Sequence, residues 1–276
     1  TAPCANDQAT VTVTVIQPPN AGTDGVLTVC SNGATADLFA QLGGAQAGGT
    51  WTDPSGAAHS NNFLPGTDAA GVYTYTVAGT APCANDQATV TVTVIQPPNA
   101  GTDGATTLCT TGVPVVLYSY LNGSQAGGSW SFNAAPHSDI FDPAVDQPGV
   151  YVYTLSGTPP CANDQAQVTV SLNQQPDAGT DGAVILCVSS PSVDLFTQIG
   201  GTPQSGGTWT APNGAAHGNM FTPGADPVGT YAYTVNGTAP CPSAQATVDV
   251  TVTAEPDAGT NATIPICANA AAFDLF

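Results

Sequence analysis

GVYTYTVAGTAPCANDQATVTVTVI, Gly71–Ile95, is the stretch whose reading decides the fold. Apolar and hydroxylated residues alternate through both of its ends. Tyr73, Tyr75 and Val77 share one face of Val72–Val77, and Val72, Thr74 and Thr76 share the other. In Ala88–Ile95 the valines Val90, Val92 and Val94 point one way and the threonines the other. A period of two with one polar face predicts half-buried antiparallel strands, joined here by a turn at Ala78–Ala84 that carries Cys83.

Upstream the pattern stays short and interrupted. Pro18–Gly25 is turn material, Val26–Cys30 a short strand, and Ala36–Leu42 an apolar run with Leu38 and Phe39 as core candidates. Gly43–Gly44 and Gly48–Gly49 bracket a turn before Trp51, and the segment Asp53–Pro65 is loop-rich. Trp51 returns as Trp130 and Trp209. One large aromatic at a fixed place reads as a core anchor, together with Tyr75, Tyr153 and Tyr233. No segment carries a 3.6-residue apolar period, so short strands between turn signals predict an all-β sandwich of about seven strands.

The whole pattern repeats. Thr1–Gly25 returns unchanged at Thr80–Gly104, and altered copies begin at Thr158 and Thr238. A repeat of about 80 residues is long enough for a small domain with its own core, and too long for a short solenoid unit. The predicted division is the end of a preceding module at 1–16, whole modules at 17–95, 96–173 and 174–253, and the start of a fourth at 254–276. The chain reads as a window from a longer polypeptide.

Nineteen acidic residues face no Lys and no Arg. Nucleic acid and anionic membrane surfaces need cationic partners, so neither is an expected ligand. No stretch approaches twenty apolar residues, and no membrane insertion is expected. Contacts between modules must then rest on backbone bonds, apolar patches or cations rather than on salt bridges.

Eight cysteines stand at a fixed rhythm: Cys4, Cys30, Cys83, Cys109, Cys161, Cys187, Cys241 and Cys267. This predicts structural disulfides and an extracellular location. Two pairings suit the rhythm. The preferred one lies inside each module, as Cys30–Cys83, Cys109–Cys161 and Cys187–Cys241. It supposes that the strand ending at Cys30 and the strand before Cys83 run in the same direction, and it leaves Cys4 and Cys267 to partners outside the chain. The other pairing, such as Cys83–Cys109, would link successive modules.

Signals for chemistry are sparse. His59, His137 and His217 recur at the repeat period, one per module, and read as loop histidines with local hydrogen bonds. No HExxH or nucleophile–base pattern is present, so no catalytic residue, no cofactor and no enzymatic activity is expected. Asp24, Asp103 and Asp181 recur in an AGTDG turn, and Asp86 and Asp164 in a CANDQ turn. These five are weak calcium candidates, because calcium wants six to eight oxygens and neither set is dense. Asx-turns that satisfy their own backbone account for such residues more simply. Asn122, Asn236 and Asn261 match the N-glycosylation acceptor pattern.

The motifs AGTDG (Ala21–Gly25), Cys30, DLF (Asp37–Phe39), LGG (Leu42–Gly44), GGTW (Gly48–Trp51), FLPG (Phe63–Gly66), GVYTYTV (Gly71–Val77), GTAPC (Gly79–Cys83) and ATVTV (Ala88–Val92) run in this order. Together they resemble the immunoglobulin-like repeats of giant secreted surface proteins of Bacteroidota, of the gliding-motility-associated or type IX secretion type. The resemblance covers the whole chain. It implies tandem immunoglobulin-like β-sandwiches arranged as beads in an extended array at the bacterial cell surface. The expected role is a disulfide-clamped stalk or filament segment whose partners are neighbouring modules and other copies in a fibre. The alternative is an adhesive module that binds glycan or another surface through repeated Thr and aromatic faces, with an exposed patch at Trp51 or Phe63 as its sign. Cys83 falls ten residues after Tyr73, which departs from the antibody pattern and puts a tyrosine-corner role for Tyr73 in doubt.

Overall fold

The computed structural model describes residues 2–272 and 274. The chain divides into two compact units, one of residues 1–106, 114–142 and 146–171, the other of residues 107–113, 143–145 and 172–276. The first module is built from β1 (Gly25–Cys30), β2 (Ala36–Asp37), β3 (Thr50–Thr52), β4 (Ala58–His59), β5 (Asn62–Phe63), β6 (Gly71–Val77) and β7 (Asp86–Ile95), with one 3-10 turn at Phe39–Gln41. Two further runs of seven strands cover residues 104–173 and 182–253. The chain is therefore all-β, with immunoglobulin-like sandwiches in series.

Five strands form the larger sheet in the order β1-β7-β6-β3-β4, and β2 pairs with β5 in a second, two-stranded sheet. The third run repeats both sheets with the same order. Tyr73, Tyr75, Val77, Ala88, Val90 and Val92 line the inner face of the large sheet and pack with Trp51 against Leu38, Leu42 and Phe63. Their outward neighbours Val72, Thr91 and Thr93 are exposed, so the alternation of the sequence is the alternation of burial. Trp130, Tyr153, Trp209 and Tyr233 are buried at the matching places.

β7 is antiparallel to β6, with Gly71 opposite Val92, but parallel to β1, with Gly25 opposite Val90 and Cys30 opposite Ile95. β1 and β6 therefore run in opposite directions, contrary to the premise of the expected in-module pairing. Cys30 stands beside the last residue of β7, while Cys83 precedes its first. The ten-residue strand separates them by about 30 Å at 3.3 Å per residue, beyond the reach of any disulfide. Instead Cys30 bonds Cys161 and Cys109 bonds Cys241. None of the expected pairs Cys30–Cys83, Cys109–Cys161, Cys187–Cys241 or Cys83–Cys109 is formed. Cys4, Cys83, Cys187 and Cys267 are free thiols.

The end segments form no regular strand. Asp7–Ile16 has the same sequence as β7, yet Val11, Val13 and Val15 are 88%, 80% and 79% exposed. β7 is held between β1 and β6, and residues 7–16 have no such pair of neighbours. Residues 254–272 likewise carry no strand, and residues 1, 273, 275 and 276 of these end segments lie outside the described residues.

Candidate functional site

The place with the most specific geometry is the joint where one module's last strand becomes the next module's opening turn. At the first joint the Ser31 amide donates to the Ile95 carbonyl at 2.8 Å, and Ser31 Oγ donates to Gln96 Oε1 at 2.9 Å. These bonds tie the strand-end cysteine, Cys30, to the end of β7. The partner cysteine comes from the turn Thr158–Cys161, in which the Cys161 amide donates to the Thr158 carbonyl at 2.9 Å. Its Sγ lies 3.4 Å from the Ile95 carbonyl oxygen, so the crosslink sits over the residue where the chain leaves β7.

The second joint repeats this with different side chains. The Thr110 amide donates to the Asn173 carbonyl at 3.0 Å, and Cys241 Sγ lies 3.2 Å from that same oxygen. Asn173 Nδ2 donates to the Ala239 carbonyl at 2.7 Å, and Gln175 Nε2 to the Pro242 carbonyl at 3.2 Å. At the second joint side-chain bonds thus fix the turn against the preceding strand end, while at the first the crosslink and the Cys161 Sγ contact with Ile95 hold it there. Each crosslink closes a loop with a sequence separation of 131 or 132 residues, worth about 5 kcal/mol alone in the chain-entropy account.

The five aspartates read as weak calcium candidates serve a different purpose. Asp24 Oδ1 accepts from the Thr89 amide at 2.7 Å, Asp103 Oδ1 from Gln167 at 2.8 Å, and Asp181 Oδ1 from Thr247 at 2.7 Å. Asp86 Oδ2 accepts from the Ala21 amide at 2.8 Å and Asp164 Oδ2 from Ala100 at 2.7 Å. Ala21 and Ala100 are fully buried, and the carboxylates pair amides that would otherwise be stranded there. The opening turn is thereby stapled to the last strand of its own module. The Asn20 side chain adds an Asx-turn by accepting from Gly22 at 2.9 Å, and Asp177 does the same for Gly179 at 2.8 Å. Among the described residues no group of three or more His, Cys, Asp or Glu converges as a metal site.

Each histidine stays in its own module. His59 Nδ1 faces the Ser60 carbonyl at 2.7 Å, and Nε2 faces Asp68 at 3.3 Å. His137 meets Asp146 and His217 meets Asp226 in the same way. These three contacts lie within modules and are ion pairs only when the imidazole is protonated. The aspartates were legible as a signal, because each follows its histidine by the same nine positions. Asp226 is held below the usual carboxylate range, first by the Thr222 amide and then by His217. Asp53 is also lowered, chiefly by the Ser55 hydroxyl.

The histidine ring lies edge-on to Tyr73, with centroids 4.9 Å apart. Tyr73 Oη donates to the Ala69 carbonyl at 2.8 Å, and Tyr151 and Tyr231 bond Gln147 and Pro227 in the same i–4 manner. This is a tyrosine corner, so the doubt about Tyr73 raised by the cysteine spacing is resolved in its favour. The corner depends on the strand start and its preceding loop, not on a cysteine two residues away. Burial pushes the Tyr151 phenol up to about 12, with Asp146 adding to the shift.

Beside β3 each module also has an open groove of about 480–520 Å³ that reaches Trp51, His59 and Tyr75 or their counterparts. Trp51 is only 5% exposed and Phe63 is fully buried, so neither offers a flat aromatic face.

No known sequence family matches the chain, and no curated protein matches it. Solved structures do. The I-band fragment I67–I69 of titin superimposes with a TM-score of 0.52 at 12% identity, over 87% of this chain and 100% of that one. That likeness shows the fold alone: immunoglobulin-like domains in series. Sidekick-1 immunoglobulin domains 1–4 give a TM-score of 0.34 at 15% identity, over 86% and 76% of the two chains. Drosophila OTK extracellular domains 3–5 give 0.32 at 12% identity, over 86% and 96%.

Proposed function

We propose that this chain is a structural spacer, a stalk or filament segment outside the cell, with modules at 17–95, 96–173 and 174–253. The observation that carries this reading is the crosslinked joint. The strongest covalent and hydrogen-bonded geometry repeats between modules, where a spacer needs it, and not around a pocket. Disulfides persist in oxidising surroundings, which supports an extracellular location. The motif order that resembles Bacteroidota surface repeats supports a bacterial surface appendage as the setting.

The adhesive alternative loses its expected sign, since Trp51 and Phe63 are core residues. It keeps one observation: the outer face of the large sheet is uncharged around Val26, Thr28, Thr91 and Thr93, all exposed. A glycan array probed with the whole chain separates the two. Absence of binding together with fibres or strings in electron micrographs of the native material is expected. Saturable binding that is lost on substituting Thr91 and Thr93 would overturn the spacer reading.

A further inference from the structure

We propose that Cys187 and Cys83 are the two open halves of the same joint. Cys187 is built to take the turn cysteine of an adjoining module of this kind on the same chain, and Cys83 to take a strand-end cysteine. The inference deepens the reading of the chain as a serial array.

Four observations converge on the two thiols. Cys187 ends its strand as Cys30 and Cys109 end theirs. The amide that follows it, Val188, donates to the Thr253 carbonyl at 3.1 Å, the same bond that Ser31 makes to Ile95 and Thr110 to Asn173. The strand-end half of the joint is thus already formed around an exposed thiol. On the other side, Cys83 lies in a Thr-x-Pro-Cys turn identical in spacing to those of Cys161 and Cys241. Its Sγ sits 3.7 Å from the Ile16 carbonyl, where Cys161 meets Ile95 and Cys241 meets Asn173. Two closed joints therefore serve as internal references for two half-joints.

The same references specify that the partner is continuous with the chain. In both closed joints the carbonyl under the turn cysteine belongs to the residue from which the chain runs into the partner module. For Cys187 that residue is Thr253. A module from a second copy would bring its own Ile16 to the same place, and the two strand ends would compete for one position.

Closure is a two-electron oxidation of two thiols. It needs a disulfide oxidant such as oxidised glutathione. The turn cysteine's thiolate attacks the oxidant and releases one thiol. The Cys187 thiolate then displaces the second thiol from the mixed disulfide, and the two protons lost by the cysteines end on the released thiols.

The test extends the whole chain after residue 276 by a copy of residues 40–95, which completes a fourth module and supplies one more Thr-x-Pro-Cys turn. Disulfides are mapped by mass spectrometry after alkylation under glutathione buffer. We expect Cys187 linked to the added turn cysteine, its alkylation falling at least about tenfold from the level in the 276-residue chain. Cys267 should remain alkylatable. Bonds Cys30–Cys161 and Cys109–Cys241 report that folding proceeded in both chains. A freely alkylated Cys187, or a bond from Cys267 to the added cysteine, would overturn the proposal. So would a covalent dimer of the 276-residue chain through Cys187 and Cys83. Glycan binding would count against the spacer role while leaving this bond untouched, so the two readings fail separately.

Discussion

At the scale of single residues, the carboxylate staples and the tyrosine corners decide local stability. Removing Asp164 strands the fully buried Ala100 amide, so Asp164→Ala should cost about 1–3 kcal/mol in urea unfolding. The third module carries Ala244 at the corresponding place, which makes Ala244→Asp the reciprocal test: it should raise that module's midpoint. The tyrosine corner gives an alkaline prediction. Burial raises the Tyr151 phenol to about 12 from its ordinary 10, so its contribution is complete below about pH 10 and is lost as pH rises through 12. The part of the tyrosinate absorbance that Tyr151→Phe removes should appear near pH 12, and its appearance near pH 10 in the folded protein would count against this. Asp226 has the opposite sign. Its lowered value contributes stability above the ordinary carboxylate range, and that contribution disappears as pH falls below it.

At the scale of elements, the glycine pairs before each tryptophan show how a motif becomes a constraint. Tyr75 Oη donates to the Gln46 carbonyl and accepts from the Gly49 amide, both at 2.7 Å. A Cβ on Gly49 would fall 2.6 Å from the Tyr75 ring, and one on Gly128 2.5 Å from Tyr153. Gly128→Ala should therefore destabilise its module by about 1–3 kcal/mol in thermal or urea unfolding, because the ring or the backbone must move. Such close approaches were legible only as punctuation in the sequence. The strands themselves were plainer: alternation placed Tyr73, Tyr75, Val90 and Val92 in the core. What alternation could not supply was strand direction. A period of two is the same for parallel and antiparallel neighbours, and β1 proved parallel to β7. The expected cysteine pairs depended on that one unknown, and they failed with it. Asp7–Ile16 marks the same limit from the other side, since a sequence identical to β7 is no strand without neighbours to pair with.

At the scale of the molecule, reduction should separate what the two crosslinks hold from what the cores hold. Converting Cys30 and Cys161 to Ser should lower stability by up to about 5 kcal/mol in urea unfolding, with the strand alternation and core unchanged. Moderate NaCl should not loosen the fold in scattering or unfolding experiments, because there is no Lys or Arg pair to screen and screening the repulsion within a net charge of −19 favours the compact state. The interleaving of the bonds has a mechanical consequence. Cys109 lies inside the loop closed by Cys30–Cys161, and Cys161 lies inside the loop closed by Cys109–Cys241. Tension entering at Cys30 crosses to Cys161, returns toward the N-terminus as far as Cys109, and crosses again to Cys241. Within the second module the load travels backwards, and the last strand and the linker to the third module hang slack beside it. Fully stretched but oxidised, the path from Cys30 to Cys241 pays out 52 residues (161 − 109) instead of 211 (241 − 30), roughly one quarter of its reduced contour length at about 3.6 Å per residue. Single-molecule pulling with and without reductant would read that ratio directly, and equal lengths would rule it out. An array wired this way passes load from disulfide to disulfide, and the proline-bearing linkers lie off the loaded path once the modules are stretched.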